Sequence, residues 1–464
     1  MNMRPSARVL ALAALAATSL ALFTLNISAK EKVSNPLITQ DATGALGTFT
    51  TTGSIDINNP FFQELGANGR TCNSCHVSSE GWTITPAGVR ARFNATGGAD
   101  PIFRTNDGSN CPSADVSTVA ARQSAYSMLL DRAVIRVSLH TPATAEFTIV
   151  NISDPHNCAE TTITDPSLYR RPLPSTSVAF LSTVMWDGRE NAPGKSIAQD
   201  LQQQAIDATM GHAQAATPPT PLQAKAIADF QLAMYTAQET DKLAGDLIQR
   251  RATGGASNLS QQEFFLGIND PLGGNPSGKA FDPVVFTTYS AWTGLAGSDA
   301  TTRARRSIAR GQALFNTLPI PITGVGGLND ALGAPVINGT CTTCHDSPNV
   351  GNHSVAAPLN IGIADAPALP PLNTTGLPVY TVRCNATGVE VNVTDLGRAL
   401  VTGRCADIGK FKGPILRGLS ARAPYFHNGS AATLGDVVDF YNQRFNLNLT
   451  TQQKADLVAF LQTL

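Results

Sequence analysis

The 464-residue sequence has little charge. Only 14% of its residues are Asp, Glu, Lys or Arg, and 33 basic residues stand against 34 acidic ones, a net charge of −1. No basic stripe offers itself to nucleic acid, and no polybasic segment to an anionic lipid surface. Long apolar runs are also missing beyond the N-terminus, so no second segment is long enough to cross a bilayer. The single run, Val9 to Phe23, follows Arg4 and Arg8 and precedes Ser28-Ala29. This pattern predicts a secretory signal over residues 1–29, cleaved near Ala29. An uncleaved anchor is the alternative, but the run is short for a span. The expectation is a protein outside the cytoplasm with no membrane segment, most simply in a bacterial periplasm. Gly, Pro, Thr and Asn take the place of charge, which suits an exported, loop-rich chain.

Cysteine is scarce too, at eight residues, and half of them fall into one pattern that occurs twice: Cys72-Asn73-Ser74-Cys75-His76 and Cys341-Thr342-Thr343-Cys344-His345. C-x-x-C-H is the signature of covalent c-type haem attachment. Two thiols three positions apart each form a thioether to the porphyrin, and the adjacent histidine offers a nitrogen to the iron. Zinc would need a closed four-coordinate shell, and neither zinc nor a redox C-x-x-C explains a histidine after the second cysteine both times. Two covalently bound c-type haems are therefore expected, with His76 and His345 as iron ligands. The remaining Cys111, Cys158, Cys384 and Cys405 meet an oxidising compartment, which favours disulfides over reactive thiols. Three connectivities are open. The local one, Cys111–Cys158 and Cys384–Cys405, keeps each bridge within one segment and would contribute roughly 3 kcal/mol per bridge.

Residues 30–60 read as an extended lead-in. Phe61 to Leu65 reads as a short helix before the first motif, and a second helix follows Pro86. Residues 94–160 read as an insertion, with turn punctuation at Gly97-Gly98 and Asp107-Gly108. The β-branched runs 133–139 and 146–150 within it predict a hairpin. A helix runs through Ile197, Leu201, Gln204 and Ala205 to Gly211-His212. After a Pro-rich break at 217–221, Ile227, Phe230, Met234 and Ala237 fall on one helical face. Residues 251–300 read as a connection with little regular structure. A helix over 304–315 and an amphipathic one over 452–464 are expected to cross, with Gly311 and Phe315 against Phe460.

Two C-x-x-C-H motifs, Trp186-Asp187-Gly188-Arg189 between them, and Pro424-Tyr425-Phe426-His427-Asn428-Gly429-Ser430 after them form an ordered set. This set resembles the bacterial di-haem cytochrome c peroxidases and their MauG-type relatives, from about Phe61 to Leu464 outside the two insertions. The resemblance implies a mainly α fold: two cytochrome c-like haem domains with loop-rich and small β insertions. They would span an N-terminal peroxidatic domain, 61–250, and a C-terminal electron-transfer domain, 301–464. It also implies that Trp186 lies between the haems, where an indole can relay electrons; core packing is the plain alternative. Gln204, in Leu201-Gln202-Gln203-Gln204-Ala205, matches the family's peroxide-pocket glutamine.

Departures from the family pattern are informative. Ala208 to Gln214 holds no acid where the family has a pocket glutamate, and His212 is the nearest titratable group. It would move a proton between peroxide oxygens, bind the iron as a sixth ligand, or be an ordinary surface histidine. No methionine follows Met234, so the family's distal methionine on the second haem is replaced. Tyr441 stands at that position, as in MauG-type enzymes, and a phenolate favours ferric and higher iron. Alternatively Tyr441 packs in a helix and His353, His427 or nothing ligates. No histidine lies between His76 and His140, so the first haem is expected to be open. The family's calcium ligands are matched by Arg171 and Arg422, which makes calcium doubtful.

The leading expectation is a di-haem peroxidase that reduces hydrogen peroxide at the His76 haem. Its electrons would come from a small cytochrome c, a cupredoxin or an oxidisable substrate, and the resemblance allows a homodimer. A MauG-like modifying oxidase, a di-haem oxygenase and a non-catalytic electron carrier are the alternatives.

Overall fold

The computed structural model describes residues 33–464; the expected signal over 1–29 lies outside them. The strands are β1 Leu37–Gln40, β2 Gly44–Thr50, β3 Ile135–Ser138, β4 Phe147–Ser153, β5 Ser167–Arg170, β6 Met234–Asp241, β7 Gly245–Asp246, β8 Ile320–Thr323, β9 Val336–Gly339, β10 Val379–Cys384 and β11 Glu390–Val393. The helices are α1 Pro86–Thr96, α2 Val119–Ala125, α3 Ser127–Arg132, α4 Ile197–Gly211, α5 Pro221–Leu232, α6 Ala256–Leu259, α7 Ala300–Thr317, α8 Ala399–Thr402, α9 Leu434–Arg444 and α10 Thr451–Leu461.

The expected mainly α fold is corrected by this content. The described residues are 29% helical and 16% strand, and the strands form several small sheets. The lead-in is one source of the difference. Its strands β1 and β2 pair with β6 and β7 in the order β1-β2-β6-β7. The helical face expected through Met234 and Ala237 ends at Leu232, and both residues lie in β6, buried against β2. Partner strands nearly 200 residues upstream override the local helical spacing.

The expected hairpin within 94–160 does not form. β3 pairs antiparallel with β5, and β4 pairs with β10, more than 200 residues away. Sheet β11-β10-β4 therefore ties the first insertion to the second half of the chain. Disulfides close both segments locally, Cys111 to Cys158 and Cys384 to Cys405.

Helices α7 and α10 cross where the sequence has its small residue. A Cβ at Gly311 would lie 1.9 Å from the Asp456 carbonyl oxygen and 2.7 Å from the Phe460 Cβ. Phe315 and Phe460 pack 5.7 Å apart, and Phe286 joins both. Phe286, Tyr289 and Trp292 belong to the 251–300 connection, yet all three are fully buried in this core. The connection has little regular structure, but its aromatics anchor it.

Candidate functional site

Each C-x-x-C-H motif begins in a one-turn 3-10 helix, Cys72–Ser74 or Cys341–Thr343. Thr71 with Ser74, and Thr340 with Thr343, cap the two turns reciprocally. The turn leaves both cysteines and the histidine in the wall of one cavity in each case, and none of the four cysteines is in a disulfide. His76 Nδ1 donates to the Trp82 carbonyl at 3.0 Å, and His345 Nδ1 to the Gly351 carbonyl at 2.6 Å. A carbonyl only accepts, so Nδ1 carries the proton and Nε2 keeps its lone pair for iron. Burial lowers the pKa of both rings and holds them neutral. A phenylalanine supports each ring, Phe61 at 6.0 Å from His76 and Phe315 at 5.9 Å from His345.

The cavities measure about 1470 and 1680 Å³, counting their mouths. They meet at a shared wall of Arg171, Pro172, Pro174, Trp186 and Lys412. Arg171, Lys412 and the adjoining Arg422 are buried, and none has an ion-pair partner among the described residues. Burial, with Arg422 close by, lowers the Arg171 guanidinium to about 9 and the Lys412 ammonium to about 7. Uncompensated buried cations are costly, and the carboxylate side chains of a haem would answer them. Paired cysteines outside the disulfides, an Nε2 left with its lone pair and these cations would fit a c-type haem in each cavity. Arg171, which stands where the resemblance puts a calcium ligand, is itself held by backbone carbonyls. Its guanidinium donates to the carbonyls of Arg422 (3.0 Å), Ile84 (2.8 Å) and Arg132 (2.9 Å).

Trp186 lines both cavities, and its Nε1 donates to the Arg171 carbonyl at 2.8 Å. The next residue, Asp187, is fully buried. It accepts from Arg170 (2.5 Å) and Arg189 (2.8 Å), while Arg170 also makes paired bonds to Asp395 (2.7 and 2.9 Å). Burial opposes ionisation of Asp187, but the two guanidiniums outweigh it and hold the carboxyl at about 2. The W-D-G-R segment is therefore a clamp that fixes Trp186 between the cavities and joins it to Asp395.

Helix α4 presents the other expected residues to the first cavity. A capping box of Ser196 and Gln199 starts it, and Leu201 and Ala205 bury one face. Gln204, Ala208 and His212 follow at helical spacing and line the cavity. His212 donates from Nδ1 to Asp107 Oδ2 at 2.6 Å, which leaves Nε2 as an acceptor. Asp107, 5% exposed, also accepts from Arg70 Nη1 at 2.5 Å, and Arg70 donates on to the His212 carbonyl at 3.2 Å. Burial raises the Asp107 pKa, but the His212 bond and the Arg70 charge bring it below the usual range. Neither Asp107 nor Arg70 was expected from the sequence. Asp107 lies in the insertion, a hundred residues from His212; the only signal was its Asp-Gly turn dipeptide, which says nothing of its partner.

Tyr441, on α9, lines the second cavity, and burial raises its phenol pKa. His427 does not line it; the ring stacks on Phe411 at 4.0 Å and approaches Trp186 at 6.3 Å. His353, 3% exposed, also lines the second cavity. His140 pairs with Asp165 at 3.0 Å and His156 with the Gly376 carbonyl at 2.9 Å, and neither lines a cavity.

No family model matches the chain. A cytochrome-c peroxidase of Denitromonas iodatirespirans is 37% identical over 137 residues, 27% of this chain and 36% of that protein. A cytochrome c551 peroxidase of Nitrosomonas europaea is 42% identical over 69 residues, 15% of this chain and 21% of the relative. The chain thus spans about a third or less of the length of these relatives. A solved MauG-like protein associated with microbial copper homeostasis aligns over 87% of this chain and 85% of its own, at 16% identity and a TM-score of 0.35, too slight a likeness to define the fold. Over the matched segments the chain, with its two C-x-x-C-H motifs, is thus similar to bacterial cytochrome-c peroxidases.

Proposed function

We propose that the protein is a periplasmic di-haem c-type peroxidase that reduces hydrogen peroxide in the His76 cavity with electrons from the His345 cavity. The observation that carries this reading is the His212–Asp107 pair in the first cavity, where Nδ1 donates to the carboxylate at 2.6 Å and Nε2 is left to accept. The haems, once attached, supply peroxide binding and the storage and release of electrons. The chain's own groups supply proton handling. With a haem held by Cys72, Cys75 and His76, His212 Nε2 would accept a proton from one oxygen of hydrogen peroxide and return it to the other, which would depart as water. Asp107 holds the ring in that tautomer and stabilises its charged form, as a carboxylate does for any histidine base. Gln204 offers an amide N–H to the bound peroxide. Two electrons and two protons then convert each peroxide to two waters.

Trp186 connects the cavities, and its low oxidation potential suits it to electron relay. The division into a peroxidatic domain, 61–250, and an electron-transfer domain, 301–464, follows from these roles. A small cytochrome c or a cupredoxin would deliver the electrons. Peroxide consumption with such a reduced donor tests the reading; a haem-loaded protein that leaves both peroxide and donor untouched would refute it.

Tyr441 favours a second reading, a MauG-like oxidase. A phenolate oxygen at the second iron would stabilise oxidised states over electron uptake. Under this reading Tyr441→Phe changes the second haem's spectrum, and an unchanged spectrum removes it.

A further inference from the structure

Next to the second haem motif lies a group of side chains that the peroxide chemistry does not use. Asp346 directly follows His345, Asp270 comes from the 251–300 connection, and His353 lies eight residues past His345. One ligand atom from each comes within 4.8 Å of the other two, and all three residues are buried. His353 is 3% exposed, yet neither ring nitrogen has a hydrogen-bond partner, and Asp346 Oδ2 has none either. His353 Nδ1 and Asp346 Oδ2 stand 3.3 Å apart. Two ligands of one tetrahedral ion, each about 2.0–2.2 Å from the metal, are separated by about that much.

The surroundings hold these side chains in place. Asp346 Oδ1 accepts from the Ser354 N–H at 2.7 Å. Asp270 accepts from the N–H groups of Leu272 (3.1 Å) and Gly274 (2.7 Å). The Asn269 amide donates to the Asp346 carbonyl at 3.2 Å, which fastens the connection to the haem segment. Among the described residues, no Lys or Arg forms an ion pair with Asp270 or Asp346. Two buried carboxylates without a counter-ion are expensive, and an imidazole with both nitrogens unpartnered loses its hydrogen bonds to water without replacement.

We infer that Asp270, Asp346 and His353 form a binding site for one divalent cation of the zinc class, on the segment that carries the second haem's histidine. One imidazole and two carboxylates suit zinc, manganese or ferrous iron. They suit calcium poorly, because it takes six to eight oxygens. Two carboxylates and one divalent ion leave the site neutral. The ion would pin the 251–300 connection to the haem segment, independently of any peroxide chemistry.

The test uses the haem-loaded protein. Haem is counted by its pyridine complex, and total metal by elemental analysis. Metal-stripped holoprotein is then titrated with zinc chloride in a calorimeter. The expected result is one equivalent of zinc per chain, retained through dialysis, and loss of that equivalent in Asp270→Asn and His353→Gln with haem content unchanged. Zinc-edge X-ray absorption on the wild type keeps the test open if the variants fail to fold; it should report a single imidazole with oxygen ligands and no sulfur. A wild type that binds no stoichiometric zinc, variants that bind it as the wild type does, or a zinc shell with sulfur or several imidazoles would each overturn the inference.

Discussion

The two C-x-x-C-H cavities share the way each motif is held and differ in the other residues that line them. In both, a capped 3-10 turn carries the thiols. The histidine donates to a carbonyl six residues on, and a phenylalanine ring lies about 6 Å away. In the first cavity, α4 adds Gln204 and His212, and the insertion adds Asp107. In the second, α9 adds Tyr441, and His353 stands in the wall with aliphatic and aromatic residues. The C-x-x-C-H turn is thus a local device used twice, whereas the rest of each cavity's lining comes from segments that arrive from elsewhere.

The largest expected effect breaks the proton-handling side of the comparison. His212→Ala should lower peroxide turnover by roughly 10²–10⁴-fold, the usual contribution of a positioned acid–base group. Asp107→Asn should lower it less, and the haem content of both variants should match the wild type. Turnover within a factor of about two of the wild type in His212→Ala would assign the proton transfer to another group.

Next in size is the clamp that fixes Trp186. Asp395→Asn leaves the buried Arg170 with half its counter-charge and should destabilise the protein by about 3–5 kcal/mol, read from denaturant unfolding. The same clamp makes an acid limit. The Asp187 carboxyl sits at about 2 when folded, against an ordinary 3.8. Its contribution to stability is therefore complete above about pH 4 and is lost as pH falls towards 2. Unfolding midpoints should drop across that window, and Asp187→Asn should flatten the drop.

A smaller effect separates the second cavity's frame from the first. Gly311→Leu drives a side chain into the Asp456 carbonyl and should cost about 1–3 kcal/mol or more, as overpacking does. It should lower haem-bound yield at Cys341 and Cys344 and leave the first haem loaded. Unchanged yield and melting would show that α7 and α10 adjust freely.

What was legible in the sequence follows the same division. The haem-attachment motifs are contiguous, and their spacing is dictated by the porphyrin's edge. Helix α4 was legible because Leu201, Gln204, Ala205 and His212 repeat at helical spacing on one continuous element. Asp107 was not, because nothing local to a turn dipeptide specifies a histidine a hundred residues on. The strands failed for the same reason. β4 looks like half of a hairpin, but its partner is β10, and Met234 and Ala237 keep a helical spacing while pairing with β2. The mainly α expectation rested on the haem-bearing segments and passed over what the lead-in and insertions do with their β-branched residues.

The most direct test of two unlike cavities is optical and electron-paramagnetic spectroscopy of the haem-loaded protein, before and after one equivalent of hydrogen peroxide. The account predicts one high-spin ferric haem, assigned to the first cavity by its loss in Cys72→Ala/Cys75→Ala, and a rapid spectral change on adding peroxide that His212→Ala slows. Two low-spin haems, indifferent to peroxide in both the oxidised and the half-reduced states, would contradict it and leave an electron carrier.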